Sequence, residues 1–183
     1  MGVRAVTKAV FLDRDGVLNQ FILRDGTPRP PAGLHQLAIY RDAPDALRRL
    51  EQAGYLLIVV TNQPDIARGT QTREAVDQIN AALGEALPIH EFLVCPHDDS
   101  ARCPCRKPKP GMVLDAAARH AVELKTSFLI GDRWRDIDCG ASAGVRTVFI
   151  DRGYCERAPE HAPDFTADSL AAAATWILSN MEA

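Results

Sequence analysis

Short apolar runs recur along this chain with longer amphipathic stretches between them. That alternation restricts the fold more than any other feature of the sequence. The runs cover residues 9–12, 55–60, 92–94, 128–130 and 147–150. Several are continuously apolar and rich in Val, Ile and Leu, as strands are when a parallel sheet is covered on both faces. The stretches between them carry helical spacing and helix-end signals. Asp42 is placed to cap a helix that turns Ala46, Leu47, Leu50 and Ala53 inward and stops at Gly54. Thr72 is placed to cap a second, with Val76, Ile79 and Leu83 on one face. A third is expected to start near Pro110, a fourth to span about 136–143 and stop at Gly144, and a fifth to be capped by Ser169. Strand–helix alternation predicts an α/β fold, a doubly wound parallel sheet with no separate cap domain, as one domain over residues 1–183. Two stretches break the rhythm. Residues 21–33 hold Pro28, Pro30 and Pro31 and read as a long loop, and residues 95–110 form a second loop crowded with cysteines, prolines and basic residues.

Composition removes several classes. The chain has 183 residues, 46% hydrophobic and 25% charged, with a formal net charge of -3 and an isoelectric point near 5.9. A dedicated nucleic-acid binder would carry a basic excess, so no nucleic-acid partner is expected. No apolar run approaches the ~20 residues that span a bilayer, so no membrane partner is expected either. The first residues lack the apolar core and cleavage site of a signal peptide, and Val6 stands where an acylation motif after Gly2 needs Ser or Thr. A cytoplasmic location is the resulting expectation.

In an open parallel sheet, ligands bind beyond the carboxyl ends of the strands. Polar residues follow three of the runs there: Asp13 and Asp15, then Thr61 and Asn62, then Asp132. Oxygen ligands of this kind suit magnesium. Asp13 and Asp15 are two apart and point to one side while the backbone stays extended. One carboxylate can attack while the other moves a proton, splitting a hydrolysis into two easier displacements. Asp and Gly are equally common in a plain turn after a strand, so the short run DRDG does not decide the matter by itself. Lys107 would neutralise a transferring phosphoryl group, and the Arg106 fork suits phosphate or sugar hydroxyls. A solvated basic loop is the other reading, but Pro108 and Pro110 stiffen this one.

The chain has five cysteines. Cys95, His97, Cys103 and Cys105 form a set of three thiols and one imidazole within one loop, the ligand chemistry of a closed structural zinc site. Incidental cysteines or a redox pair of Cys103 and Cys105 are the alternatives. A catalytic zinc is not expected, because four ligands leave no open position. Cys139 and Cys155 are assigned no role.

DRDG at the first strand end, TNQ at the second, RKP further on and GDRWRDID at the fourth resemble, in order and spacing, the motifs of the haloacid dehalogenase superfamily. The resemblance implies that family's Rossmann-like fold and roles residue by residue. Asp13 would be the nucleophile and Asp15 the acid for the leaving alcohol, then the base for water. Thr61 and Lys107 would hold phosphoryl oxygens. Asp13 and Asp132 would bind Mg2+ through side chains and Asp15 through its carbonyl, with Asp136 orienting that shell. Asn62, Arg106 and Arg133 would meet the substrate, and Arg68 in the IARG stretch would flank it. The loop CPH…CxCRKPxPGM, with Zn2+ on its cysteines and histidine, and TNQPDIARG narrow the resemblance to the heptose-bisphosphate phosphatases. The related histidinol-phosphate phosphatases share the zinc loop and TNQ. The chain departs from the heptose group at Pro64–Asp65 and in the proline-rich loop after Asn19. The resemblance implies a monomeric phosphatase acting on a small phosphorylated sugar, the 7-phosphate of D-glycero-D-manno-heptose 1,7-bisphosphate, with histidinol phosphate as the alternative. A nucleic-acid 3′-phosphatase and a non-catalytic zinc-stabilised binding module remain as further readings.

Overall fold

The structure, a computed structural model, describes residues 7–24 and 27–180. Residues 1–6, on which the leader and acylation readings fall, lie outside it. The elements in chain order are β1 (Lys8–Leu12), β2 (Ile22–Arg24), β3 (Thr27–Arg29), α1 (Ala43–Gln52), β4 (Tyr55–Asn62), α2 (Arg73–Ala86), β5 (Glu91–Cys95), α3 (Gly111–His120), β6 (Phe128–Gly131), α4 (Trp134–Ala143), β7 (Arg146–Ile150), β8 (Phe165–Ala167) and α5 (Leu170–Ser179). Six strands form one sheet in the order β5-β4-β1-β6-β7-β8, and every neighbouring pair is parallel. The α/β, Rossmann-like expectation is met.

Side chains alternate across the sheet and build a core on each face. Val10, Leu12, Leu57, Val59, Ile130 and Val148 pack with the inner faces of α1, α2 and α5. Ala9, Phe11, Ile58, Val60 and Leu129 pack with α3 and α4 through Met112, Val113, Ala116 and Cys139. With both faces covered, the central strands have no polar face, which is why their runs read as continuously apolar. The chain runs from β1 outward to β4 and β5, then crosses back to β6 on the other side of β1. That reversal opens a crevice at the carboxyl end of β1.

The local signals hold in most places. Thr72 Oγ1 accepts from the Ala75 N–H and Ser169 Oγ from the Ala172 N–H, and Gly144 ends α4 with φ of 82°. Two expectations are corrected. Asp42 does not cap its own helix: its carboxylate accepts from the Ala171 N–H at the start of α5, 3.0 Å away, so it joins two helices. Within residues 21–33 the structure has an antiparallel hairpin, β2 with β3, in which Leu23 pairs with Pro28. A two-stranded ribbon has only edge strands, so a proline's missing N–H can face away from the partner. The strand β8 is also silent in the sequence, since three residues are too few to show a period. No helix among the described residues is long and apolar enough to cross a membrane.

Candidate active site

β1, β4 and β6 end side by side and bring the expected residues to one cavity of about 280 Å³, lined by Asp13, Asp15, Thr61, Asn62, Lys107 and Asp132 among others. At its floor, Asp13, Asp132 and Asp136 each offer a carboxylate oxygen, and these lie within 4.8 Å of one another. Asp13 Oδ1 accepts from the Arg14 N–H at 2.8 Å and lies 2.9 Å from Lys107 Nζ. Asp13 Oδ2 takes no hydrogen bond from the described residues, so one oxygen is fixed and the other is unengaged. Burial pushes the Asp13 carboxyl up; Lys107 opposes this and the Asp136 charge adds to it, leaving it near 6. Asp132 is held well above the usual carboxylate range by burial and by Asp13 and Asp136.

Two glycines let these carboxylates sit against backbone. A Cβ on Gly131 would fall 2.1 Å from Asp136 Cβ, and one on Gly16 would fall 1.8 Å from Asp132 Oδ2. Gly16 also holds φ of 91°, where an L side chain costs about 1–2 kcal/mol. Gly16→Ala is therefore expected to lower the melting temperature and to displace Asp132, cutting activity. Thermal denaturation and phosphate-release assays on the same preparation check both effects. An alanine variant with native melting temperature and native rate would refute this account of the turn.

Lys107 is buried between Asp13 and Asp136, with Nζ 2.5 Å from Asp136 Oδ1. An ammonium has three hydrogens, so these two carboxylate contacts leave one for a phosphoryl oxygen. Burial opposes the charge, but the two carboxylates outweigh it and hold the ammonium above its ordinary range. The backbone of Lys107 is clasped by one side chain: Asn62 Nδ2 donates to Lys107 O at 3.0 Å, and Lys107 N–H donates to Asn62 Oδ1 at 3.1 Å. Asn62 lines the cavity, yet its amide is engaged with Lys107 rather than open to a substrate.

The Asp15 carboxylate sits in a cradle. Arg14 Nη2 reaches both its oxygens at 3.0 and 2.9 Å, Asn19 Nδ2 donates to Oδ1 at 2.9 Å, and Gln63 Nε2 donates to Oδ2 at 2.8 Å. Arg14 is fully buried and also donates to Asn80 Oδ1. Gln63 Nε2 lies 2.9 Å from Thr61 Oγ1 as well. Nothing in the sequence pattern singles out Arg14 or Gln63, although each sits inside a motif, DRDG and TNQ.

Arginines rim the cavity, most of them already paired. Arg106 donates to Asp99 Oδ1 at 2.9 Å and to His97 O at 3.1 Å. Arg68 pairs with Asp65 at 3.2 Å, and Arg135 with Asp99 at 3.4 Å. Arg133, expected to meet substrate, lines the cavity but forks onto Glu156. Tyr154 completes the wall, donating its hydroxyl to Asp132 Oδ2 at 2.6 Å. Burial and Asp132 push that phenol above its ordinary range. No periodicity or motif marks Tyr154 or Glu156 in the sequence.

The second cluster lies beyond Lys107. Cys95, His97, Cys103 and Cys105 converge, with sulfur–sulfur distances of 3.7, 3.2 and 3.3 Å and His97 Nδ1 3.7 and 3.4 Å from Cys95 and Cys105. Zinc–sulfur bonds of about 2.3 Å in a tetrahedron put sulfurs roughly 3.8 Å apart, close to this packing. Burial raises Cys95 to about 12. Burial also raises Cys103, but hydrogen bonds led by Cys105 outweigh it and bring Cys103 to about 7. The four side chains are placed so that they could hold a metal ion.

A HAD-hydrolase-like family model matches residues 104–173. The D-glycero-beta-D-manno-heptose-1,7-bisphosphate 7-phosphatase of Helicobacter pylori strain J99 is 35% identical over 78% of this chain and 82% of its own. The D-glycero-D-manno-heptose-1,7-bisphosphate 7-phosphatase of Thermosynechococcus vestitus is 33% identical over 94% of this chain and 96% of its own. Among solved structures, D,D-heptose 1,7-bisphosphate phosphatase from B. bronchiseptica, complexed with magnesium and phosphate, superposes with a TM-score of 0.80 at 30% identity, over 95% of this chain and 99% of that one.

Proposed function

The chain belongs to the haloacid dehalogenase-like hydrolases and is a phosphatase of that type, and from that premise we propose that it removes the 7-phosphate of D-glycero-D-manno-heptose 1,7-bisphosphate through an aspartyl phosphate on Asp13. The observation that carries the chemistry is the asymmetry of Asp13. Its Oδ1 is tied to Arg14 N–H and Lys107, while Oδ2 has no hydrogen-bond partner among the described residues and Asp13 lines the cavity. That oxygen attacks phosphorus, the P–O bond to the sugar breaks, and water then cleaves the acyl phosphate. Lys107 and Thr61 hold phosphoryl oxygens in this reading. Asp15 gives the leaving oxygen its proton. In its present orientation it accepts hydrogen bonds on both oxygens, so the transfer requires it to turn out of the Arg14 cradle.

Three floor carboxylates against one ammonium would repel a phosphate dianion, and Asp132 Oδ1 is buried with no hydrogen-bond partner among the described residues. Both features fit a hard divalent cation on Asp13 and Asp132, with Asp136 orienting Lys107 and the Arg133 backbone beside it. Magnesium, present in the B. bronchiseptica structure, is the proposed ion; when bound it would neutralise charge on the phosphoryl oxygens. Four soft donors fit zinc at Cys95, His97, Cys103 and Cys105. The sugar assignment rests on the named relatives. Heptose 1,7-bisphosphate is expected to give a higher kcat/KM than histidinol phosphate or a 3′-phosphorylated oligonucleotide in a phosphate-release screen with magnesium. A higher value for histidinol phosphate would move the assignment to that activity, and one for the oligonucleotide to a nucleic-acid phosphatase.

A further inference from the structure

Residues 151–164 join β7 to β8 without regular structure, yet both ends of this strap are tied down. At one end Arg152 Nε donates to Gly16 O at 2.9 Å, and the guanidinium lies 4.2 Å from the Tyr40 ring centroid. At the other, the buried Asp138 carboxylate of α4 accepts from the N–H groups of Glu160 and His161 at 2.8 and 3.1 Å. Arg157 adds a contact to Asp138 at 3.3 Å and stacks 3.5 Å from the Trp134 ring centroid. Between these anchors Tyr154 turns inward. Its ring meets Phe21 edge-on at 5.1 Å, and its hydroxyl donates to Asp132 Oδ2 at 2.6 Å.

We propose that Tyr154 is a positioning residue of the cation site: by occupying Asp132 Oδ2 it fixes the carboxylate plane and leaves Oδ1 for the metal. The inference rests on the cation reading above and adds a residue to it. The terminal torsion of an aspartate is broad and roughly two-fold, so an untied carboxylate samples many planes. Asp132 is confined on one side by Gly16, whose missing Cβ would fall on Oδ2, and on the other by the Tyr154 hydroxyl. The same strap sets both walls, since Arg152 holds the Gly16 carbonyl. The chemistry of the donor also fits. An ammonium or guanidinium at this distance would repel a divalent cation, whereas a phenol donates a hydrogen bond without bringing a positive charge. Outer hydrogen bonds of this kind typically change metal affinity about 10- to 100-fold.

Tyr154→Phe tests the idea, because it removes the hydroxyl and keeps the ring that packs on Phe21. Magnesium binding is measured by calorimetry on the purified, zinc-loaded protein, with circular dichroism to verify the fold. The magnesium dependence of p-nitrophenyl phosphate hydrolysis is measured in parallel. The magnesium dissociation constant and the half-saturating magnesium concentration should both rise about 10-fold or more. A role confined to the cavity wall would instead change KM or kcat for substrate and leave the metal constant alone. Unchanged or tighter magnesium binding in Tyr154→Phe, with magnesium bound normally by the wild type, would overturn the inference. A wild-type protein that takes up no magnesium would overturn the cation reading, and this inference with it.

Discussion

Asp13→Asn is expected to abolish turnover, by about 10³-fold or more, while the protein stays folded. Asparagine keeps the shape of the side chain and its carbonyl can still accept from the Arg14 N–H, so the turn at the end of β1 has no reason to change. What disappears is the nucleophilic oxygen at the cavity and one carboxylate of the cation set. The same change should not destabilise the magnesium-free protein at neutral pH. Burial raises the Asp13 pKa from 3.8 to about 6 in the fold. A carboxyl whose folded pKa is raised favours the fold in its protonated form, so that contribution is present below about 4 and is lost as pH rises to about 6. Above that window wild type carries a buried, incompletely compensated charge and the asparagine variant does not. Thermal melts in magnesium-free buffer from pH 4 to 7 should show wild type losing stability relative to Asp13→Asn across that interval. Phosphate release checks the rate. More than a few per cent of wild-type turnover in the variant would make the aspartyl-phosphate route wrong.

How much of the fold and site is legible in the sequence depends on how local the cause is. Asp13, Thr61 and Asp132 can be read because each follows an apolar run, and a strand's carboxyl end is a fixed place in a parallel sheet. Cys95, His97, Cys103 and Cys105 can be read as a candidate metal set because they fall within a short stretch of chain. Long-range contacts cannot. Asn62 looks like a substrate residue from its place after the second apolar run, but β4 runs two residues beyond that run and turns the Asn62 amide onto Lys107, 45 positions away. Arg106 and Arg133 are recognisable as rim residues, but nothing local tells that Asp99 and Glu156 take up their forks. Asp42 has the residue type and spacing of a helix cap, and only the packing of α1 on α5 decides that it serves the other helix. Tyr154 lies in an irregular strap whose path is set by Asp138 and Arg152, so no period or motif points to it. The hairpin in residues 21–33 is hidden for a different reason. Proline argues against a strand in a sheet interior, and this ribbon has no interior strand.

Loss of the Cys95, His97, Cys103 and Cys105 metal is expected to cost about 10²-fold in activity with little loss of the sheet. Metal analysis should find about one zinc per chain in the wild type, the load of one four-ligand site, and none in Cys103→Ala. The reason the rate should fall is distance along the chain: Lys107 follows Cys105 by two residues, and its Nζ must stay within reach of the phosphoryl group beside Asp13. A displacement of about 1 Å at such a position is enough for a 10²-fold loss. The effect should stop short of complete inactivation, because the loop has braces that need no metal. Asn62 clasps the Lys107 backbone with two hydrogen bonds. Lys109 Nζ donates to the carbonyls of Arg102 and Cys103, and Gly111 N–H donates to Pro104 O at a contact too close for any side chain at Gly111. The sheet has cores on both faces built mainly from side chains outside the loop; Cys95 is one buried member of the second, and Cys103 and Cys105 only pack partly buried against it. Circular dichroism of Cys103→Ala should therefore stay near native while kcat/KM drops. A zinc-free variant with full activity would mean that Asn62 and Lys109 alone hold Lys107 in place, and that the metal cluster serves something other than catalysis.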